Sequence, residues 1–317
     1  MKLTFSIIVP VYNRPEEVDE LLDSLCNQTY GDPFEVIIVE DGSEYDCKDV
    51  VDRYRDILDI KYFTKENSGP GLTRNYGMER AKGNYFIVFD SDCIIPDEYL
   101  QAVDDGLHKR FTDIFGGPDA ADDQFTIIQK AINYSMTSFL TTGGIRGKEN
   151  SVEAFQPRSF NLGMSKKAFD MTGGFGEMRV GEDIDFSLRS KELGLKSQLI
   201  TEAYVYHKRR TNLYDFYCQT FSFGKARPFL NRKFKGTAKL TYWFPSFFIV
   251  GYGLSFILYF LDFPWLLYGM FLYLGLIFLG STLQNKSLVV GMTSIITTII
   301  QFFGYGLGFL QGTFSRK

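Results

Sequence analysis

Histidine, cysteine and, over the last quarter of the chain, charge are what this sequence has least of. Of its two histidines, His108 lies in the polar stretch DDGLHKRF and reads as a solvated helix residue, so His207 is the one left for chemistry. The four cysteines, Cys26, Cys47, Cys93 and Cys218, show no paired spacing. That argues against a disulfide framework and for ordinary thiols in a reducing compartment. The dinucleotide pattern G-x-G-x-x-G is absent, which removes the main support for a dehydrogenase. The opening MKLTFSIIVP has a short apolar run but no small-residue cleavage site after it, so it reads as a first buried strand rather than a signal peptide.

The scarcity of charge is the most informative. Between residues 241 and 314 the only formal charges are Asp262 and Lys286, which leaves uncharged runs of 19, 21 and 27 residues at 243–261, 263–283 and 288–314. A helix needs roughly 20 apolar residues to cross a hydrocarbon core. The runs therefore predict three transmembrane helices, or a re-entrant hairpin plus one span where Asp262 and Pro264 make a tight link. From residue 207 onward there are 12 basic and two acidic residues, a net of +10, against −14 for the first 206. The six basic residues of KARPFLNRKFKGTAK (225–239) precede the first run. By the positive-inside rule they face the cytoplasm, and the N-terminal part with them. The expected location is the cytoplasmic (inner) membrane, multi-pass. Seven aromatics mixed with basic groups over residues 213–235 read as an interfacial amphipathic helix at a lipid bilayer. With spans directly downstream, a bilayer fits these residue types better than nucleic acid does.

Ahead of the tail, strand-like and helix-like segments alternate. LTFSIIVPV (3–11) is β-rich; a helix follows with Pro15 near its start and Val18, Leu21, Leu22 and Leu25 at helical spacing. FEVIIVEDGS (34–43) is a second strand, 45–58 a helix, 60–63 a strand, 72–83 a helix, and YFIVFDSD another strand. A strand-like run covers 197–210. This alternation predicts a parallel sheet, whose ligands bind beyond the carboxyl ends of the strands. Three apolar strands end in polar residues that would meet there: Pro10, Tyr12 and Asn13; Glu40, Asp41, Gly42 and Ser43; and Asp90, Ser91 and Asp92. Arg74 would join them from the intervening helix. Downstream, GGFGEMRVGEDIDFSLRSKELG groups Glu182, Asp183 and Asp185 at a helix start.

In the order FSIIVPVYNR, VIIVEDGS, GLTRNYG, YFIVFDSDCIIP, and GGFGE with GEDIDFSLR, the chain resembles the family 2 glycosyltransferases over roughly residues 4–210. The resemblance implies a GT-A nucleotide-diphospho-sugar transferase fold, a Rossmann-like, mixed but mainly parallel sheet. The expected division is a catalytic domain at 1–210, an interfacial segment at 211–240 and a membrane domain at 241–317. It also implies a nucleotide-diphosphate sugar donor, with UDP the commonest nucleotide, and Mg²⁺ or Mn²⁺ at the D-x-D element Asp90 and Asp92. Asp41 would meet the base. Arg74 would either pair with the diphosphate or brace Asp90. Asp183 would be the base that deprotonates an acceptor hydroxyl in an inverting displacement, with Glu182 and Asp185 as competitors. Glu182 could instead contact the acceptor, and Asp185 could cap the helix. His207 would close the metal site, or be a strand-end histidine. Two departures stand out: Gly176 replaces an aspartate common in the family, and the QxxRW sequence of processive synthases is missing, Gln219 being followed by TFSFGKARP.

The acceptor expected from these residues is a hydroxyl of a glycan or glycolipid. A phosphate monoester, with a second pKa of about 6, would need no such base. Two further readings stay open: a polyprenyl-phosphate sugar transferase, and a non-catalytic membrane scaffold that binds nucleotide sugars.

Overall fold

The structure is a computed structural model and describes residues 2–120, 125–142 and 156–315. The chain runs β1 (Phe5–Val11), α1 (Pro15–Cys26), β2 (Glu35–Asp41), α2 (Lys48–Asp52), β3 (Asp59–Lys65), α3 (Pro70–Met78), β4 (Tyr85–Phe89), β5 (Cys93–Ile94), α4 (Tyr99–Lys109), β6 (Ile114–Gly116) and β7 (Asp119–Ala120). It continues through α5 (Ile127–Thr137), α6 (Phe139–Thr142), β8 (Asn161–Ser165), α7 (Lys166–Thr172), α8 (Glu182–Glu192), β9 (Ser197–Leu199) and β10 (Val205–His207). Then come α9 (Leu213–Lys233), a 3-10 turn at Leu240–Trp243, α10 (Phe244–Tyr259), α11 (Trp265–Asn285) and α12 (Leu288–Phe314).

Two compact units result. The first comprises the described residues up to 120 and from 156 to 207; the second comprises 125–142 and 208–315. The sequence reading placed everything to residue 210 in one domain, so α5 and α6 are redistributed to the C-terminal unit.

The first unit is built on a seven-stranded sheet of order β3-β2-β1-β4-β8-β6-β9. β1 to β4 are parallel, and β8 runs antiparallel to both β4 and β6. The central strands are mostly apolar on both sides because both faces are covered. Successive side chains alternate between them. Ile7, Val9, Val36, Ile38 and Ile87 pack on α1 and α4, while Ile8, Ile37, Val39, Phe86 and Val88 pack with Met78, Ala168 and Phe186 of α3, α7 and α8. Each such side chain contributes roughly 1.5–3 kcal/mol by leaving water. α3 approaches β1 closely because residue 77 is glycine; a Cβ there would sit 2.8 Å from Ile8. A second sheet, β5-β10-β7, lies at the end of the unit that carries the polar strand ends.

Three elements differ from expectation. The helix expected over 45–58 is reduced to α2. It starts at Lys48, whose amide is held by the Asp46 carboxylate at 3.0 Å, and gives way to i→i+3 turns at Arg53 and Tyr54. The helix expected at 72–83 begins earlier, with Pro70 in its first turn, and ends in turns after Met78. The run 197–210 is broken by a turn at Ile200–Ala203, so β9 extends the large sheet while β10 belongs to the small one.

In the second unit α12 packs against α5, α9, α10 and α11. Glycine sets the distance to α9: a Cβ at Gly308 or Gly312 would run into the backbone of Phe221 or Lys225, and one at Gly304 into Thr220 Oγ1. α5 is tied to α12 by hydroxyls, with Ser135 Oγ 2.6 Å from Thr297 Oγ1, and by Ile132, Met136 and Phe216 packing beside Ile300. Three helical stretches, Leu240–Tyr259, Trp265–Asn285 and Leu288–Phe314, are long and apolar enough to cross a membrane. Large apolar side chains such as Val250, Ile257, Leu272, Leu283 and Met292 are exposed along them, a pattern that indicates membrane association.

Candidate active site

The carboxyl ends of β1, β2 and β4 bring the predicted residues of the first half of the chain together. After β1, Tyr12 is about half exposed, and Asn13 turns the chain in a left-handed conformation, φ +55°. Its amide donates to Ser43 Oγ at 2.9 Å, and its side-chain oxygen accepts from the amides of Glu44 and Tyr45 at 2.7 and 3.0 Å. Ser43 in turn donates to Glu40, which also accepts from the Cys47 amide. This network fixes the mouth between β1 and β2. Gly42, at φ +73°, leaves room for the Asn67 backbone, which a Cβ would meet at 2.8 Å.

Asp41, expected at the base, is buried, and both its oxygens accept hydrogen bonds from the end of β3 and the turn that follows it. Lys65 Nζ and the amides of Ser68 and Gly69 each donate at 2.8 Å. Burial alone would push its carboxyl up, but the Lys65 ammonium and the two amides outweigh it and hold the pKa below the usual aspartate value. Lys65 was not expected from the sequence.

Arg74 is 2% exposed and forks between two carboxylates: Nη2 donates to Asp90 Oδ1 at 2.6 Å and Nη1 to Glu182 Oε1 at 2.9 Å. Its guanidinium also lies over the Phe175 ring at 5.3 Å. One side chain thus links the D-x-D strand end to the acidic start of α8, bracing Asp90 as one of the two expectations for it had it. Burial raises the Glu182 carboxyl above its usual range, Arg74 pulls it back, and neighbouring Asp183 adds to the rise. Asp183 is less enclosed. Its Oδ1 accepts from the Ile184 amide at 2.7 Å, and its Oδ2 lies 3.4 Å from Arg158 Nη1. Asp185 is fully buried and bound to Arg189 at 2.8 Å, and Arg189 also holds the carbonyls of Thr172 and Gly174. Of the three acids, it is the most deeply enclosed.

Asp92 sits between Arg14 and His207: Arg14 Nη1 is 3.0 Å from Oδ2, and His207 Nε2 is 3.2 Å from Oδ1. β10 pairs with β5 so that His207 lies opposite Cys93, and the His207 ring stacks on Phe160 at 4.6 Å and 13°. Ser91 is buried between the two aspartates. Among the described residues, donor atoms of Asp92, Cys93 and His207 lie within 4.8 Å of one another, and His207 Nδ1 is buried without a hydrogen-bond partner. Carboxylate and imidazole donors beside an unsatisfied ring nitrogen fit a divalent cation.

Four consecutive residues that sequence reasoning missed complete the site. Arg158 reaches Asp183, Ser159 Oγ donates to Glu182 at 3.3 Å, Phe160 backs His207, and Asn161 accepts from Tyr99 Oη at 2.6 Å. Nothing in the spacing of RSFN marks it as functional. Arg14 could have been found, since it directly follows the turn at Asn13.

Residues 6–171 match the family described as Glycosyl transferase family 2, over more than half of the chain. The chain belongs to this family. Within family 2, it is similar to poly(ribitol-phosphate) beta-N-acetylglucosaminyltransferase TarS of Staphylococcus aureus, 34% identical over 115 residues that cover 35% of this chain and 20% of TarS. It is also similar to chondroitin synthase of Escherichia coli, 26% identical over 237 residues, 64% of this chain and 34% of the synthase. The chain therefore spans only a fifth to a third of these relatives' length. Among solved structures, mannosyltransferase PcManGT from Pyrobaculum calidifontis, in complex with GDP-Man and Mn²⁺, aligns over 100% of this chain and 89% of its own with a TM-score of 0.62 at 16% identity. S. aureus TarS 1–349 in complex with UDP-GlcNAc aligns over 70% of this chain and 66% of its own, with a TM-score of 0.52 at 22% identity. These likenesses bear out the GT-A type fold, a mixed, mainly parallel sheet followed by apolar helices.

Proposed function

We propose that this protein is a membrane-anchored glycosyltransferase that moves a sugar from a nucleotide-diphosphate donor, UDP-linked in the first instance, to a hydroxyl of a lipid-linked or cell-envelope glycan, with inversion at the sugar carbon. The observation that carries the reading is the Arg74 fork, which joins the D-x-D strand end to the α8 carboxylates. The UDP-GlcNAc complex of TarS and the glycan substrates named for TarS and chondroitin synthase support the donor and acceptor classes.

Each group has a role in this scheme. Tyr12, Asn13 and Gly42 line the base end of the crevice, with Pro10 ending the strand behind them. Asp41 acts there by holding the 65–69 segment in place. Asp92 and His207, with Asp90 beside them, would hold Mg²⁺ or Mn²⁺, which when bound supplies positive charge for the departing diphosphate. Arg74 orients Asp90, and Ser91 spaces the pair. Asp183 takes the proton from the acceptor hydroxyl during attack, because a neutral hydroxyl is a poor nucleophile. Glu182, fixed by Arg74 and Ser159, shapes the acceptor side. A catalytic domain on the cytoplasmic face of the inner membrane accords with the basic residues 225–239 ahead of the first apolar helix.

Arg158 favours a second reading. Its guanidinium beside Asp183 would suit a phosphate as the attacking group, as on a polyprenyl phosphate, and then no base is needed. One substitution separates the two. Asp183→Asn keeps the shape and removes the proton acceptor, so hydroxyl glycosylation falls by at least about 10²-fold, the range of general-base catalysis, while donor affinity stays within about twofold. The measurement is nucleotide release across a donor panel with total membrane lipid extract as acceptor, with donor affinity taken by calorimetry. Near wild-type turnover in the variant removes Asp183 as the base. Donor binding without turnover by the wild type under any condition would leave only a nucleotide-sugar-binding role.

A further inference from the structure

The D-x-D element is followed directly by a cysteine, and the fold turns that thiol toward the same point as Asp92 and His207. β5 and β10 are antiparallel, with Cys93 opposite His207. Directly opposed residues in such a pair carry their side chains on one face. One oxygen, one sulfur and one nitrogen donor are therefore gathered within 4.8 Å of one another. The thiol is buried, 1% exposed, and its recorded partner is the Phe160 carbonyl at a weak 3.5 Å. The His207 Nδ1 beside this cluster is buried and has no partner. Two bonds of about 2.0–2.3 Å at a tetrahedral angle set donors roughly 3.5 Å apart, so closing on an ion requires shifts of about 1 Å.

These three donors differ in kind. Mg²⁺ and Mn²⁺ prefer oxygen and have little use for sulfur, whereas Zn²⁺, Co²⁺ and Cd²⁺ bind imidazole and thiolate well. We propose that Cys93, with Asp92 and His207, forms a mixed oxygen, sulfur and nitrogen site that binds thiophilic divalent cations in competition with the hard cation used for donor binding. The inference rests on the reading that Asp92 and His207 face a cation. As the ion binds, the thiol releases its proton to solvent. Zn²⁺ at low concentration thus displaces Mn²⁺ and ties up the D-x-D element, making the enzyme sensitive to zinc and cadmium through a residue with no part in sugar transfer.

The test uses the purified full-length chain in detergent, without nucleotide and under a phosphine reductant. Co²⁺ is titrated while the near-ultraviolet thiolate-to-Co²⁺ charge-transfer absorption is followed. Mn²⁺ affinity is read separately by electron paramagnetic resonance. The wild type is expected to develop the band to saturation at one equivalent and to lose bound Mn²⁺ when Zn²⁺ is added. Cys93→Ser removes the band and lowers Co²⁺ affinity about 10–100-fold while Mn²⁺ affinity changes by no more than about twofold, because the lost ligand matters only to thiophilic ions. His207→Ala, which keeps the thiol, weakens both. Cys26→Ser/Cys218→Ser keeps the band, which excludes the two partly exposed thiols, and Cys47→Ala keeps it too, which leaves Cys93. A wild type that binds Mn²⁺ but shows no band, or a band that survives in Cys93→Ser, overturns the thiol's role. A wild type that binds neither ion overturns the cation site itself.

Discussion

Arg74 is the residue on which the site turns. A guanidinium that is 2% exposed would be costly to bury alone, but its planar fork faces two carboxylates and its plane lies over an aromatic ring. Replacing it with Met leaves Asp90 and Glu182 facing each other unpaired. We expect Arg74→Met to lose about 3–5 kcal/mol of unfolding free energy, the range for breaking a buried ion pair, measured by denaturant unfolding of the first unit's signal. Arg74→Lys recovers only part, since an ammonium cannot span both partners. Asp41 gives a pH-dependent expectation. Its folded pKa is depressed below the unfolded value, so the stability it contributes is fully present above the unfolded pKa, near 3.8, and is lost as pH falls through the folded pKa. Unfolding midpoints between pH 2 and 7 should therefore fall on the acid side in the wild type and fall less steeply in Asp41→Asn. An unchanged acid limb would mean that the Lys65 and amide contacts add nothing.

At the scale of elements, the glycine contacts between α9 and α12 make a quantitative expectation. Gly308 allows the backbones to touch, and a leucine there has no space. Gly308→Leu should cost about 1–3 kcal/mol or more by overpacking, seen as a lower thermal midpoint in detergent, whereas Gly253→Leu, with nothing within 4 Å of its Cβ, should not. The same level shows what was legible in the sequence. β1, α1, β2 and β4 announce themselves because the apolar runs and the 3.6-residue spacing of Val18, Leu21, Leu22 and Leu25 are local patterns. The aspartates at the strand ends were legible for the same reason: a carboxylate closing an apolar strand is conspicuous. The 158–161 segment was not, because its meaning lies in partners 25 to 62 residues away, Asp183 and Tyr99. The membership of α5 in the C-terminal unit was hidden too, since its apolar face reads equally well against a sheet or a helix.

At the scale of the whole molecule, the chain is acidic over its first 206 residues and basic and apolar beyond them. Insertion of the C-terminal helices depends on apolar area rather than charge pairing, so the protein is expected to stay in the membrane fraction through high-salt and alkaline carbonate washes and to leave only with detergent. Appearance in the salt wash would indicate a peripheral attachment through residues 225–239. A fragment ending at residue 210 should aggregate, because α5 would keep Ile132 and Met136 without Phe216 and Ile300 to cover them; recovery of a soluble monomer would contradict this. That interleaving also sets a clock for synthesis. Ser135 and its partner Thr297 are 162 residues apart. At about 5–20 residues per second, roughly 8–30 s pass between the ribosome making α5 and making the helix that covers it. For that interval the nascent chain carries a bare apolar face already joined to a sheet that can fold on its own schedule. The newborn chain is thus most exposed to chaperones and proteases between the synthesis of α5 and that of α12, which completes the cover.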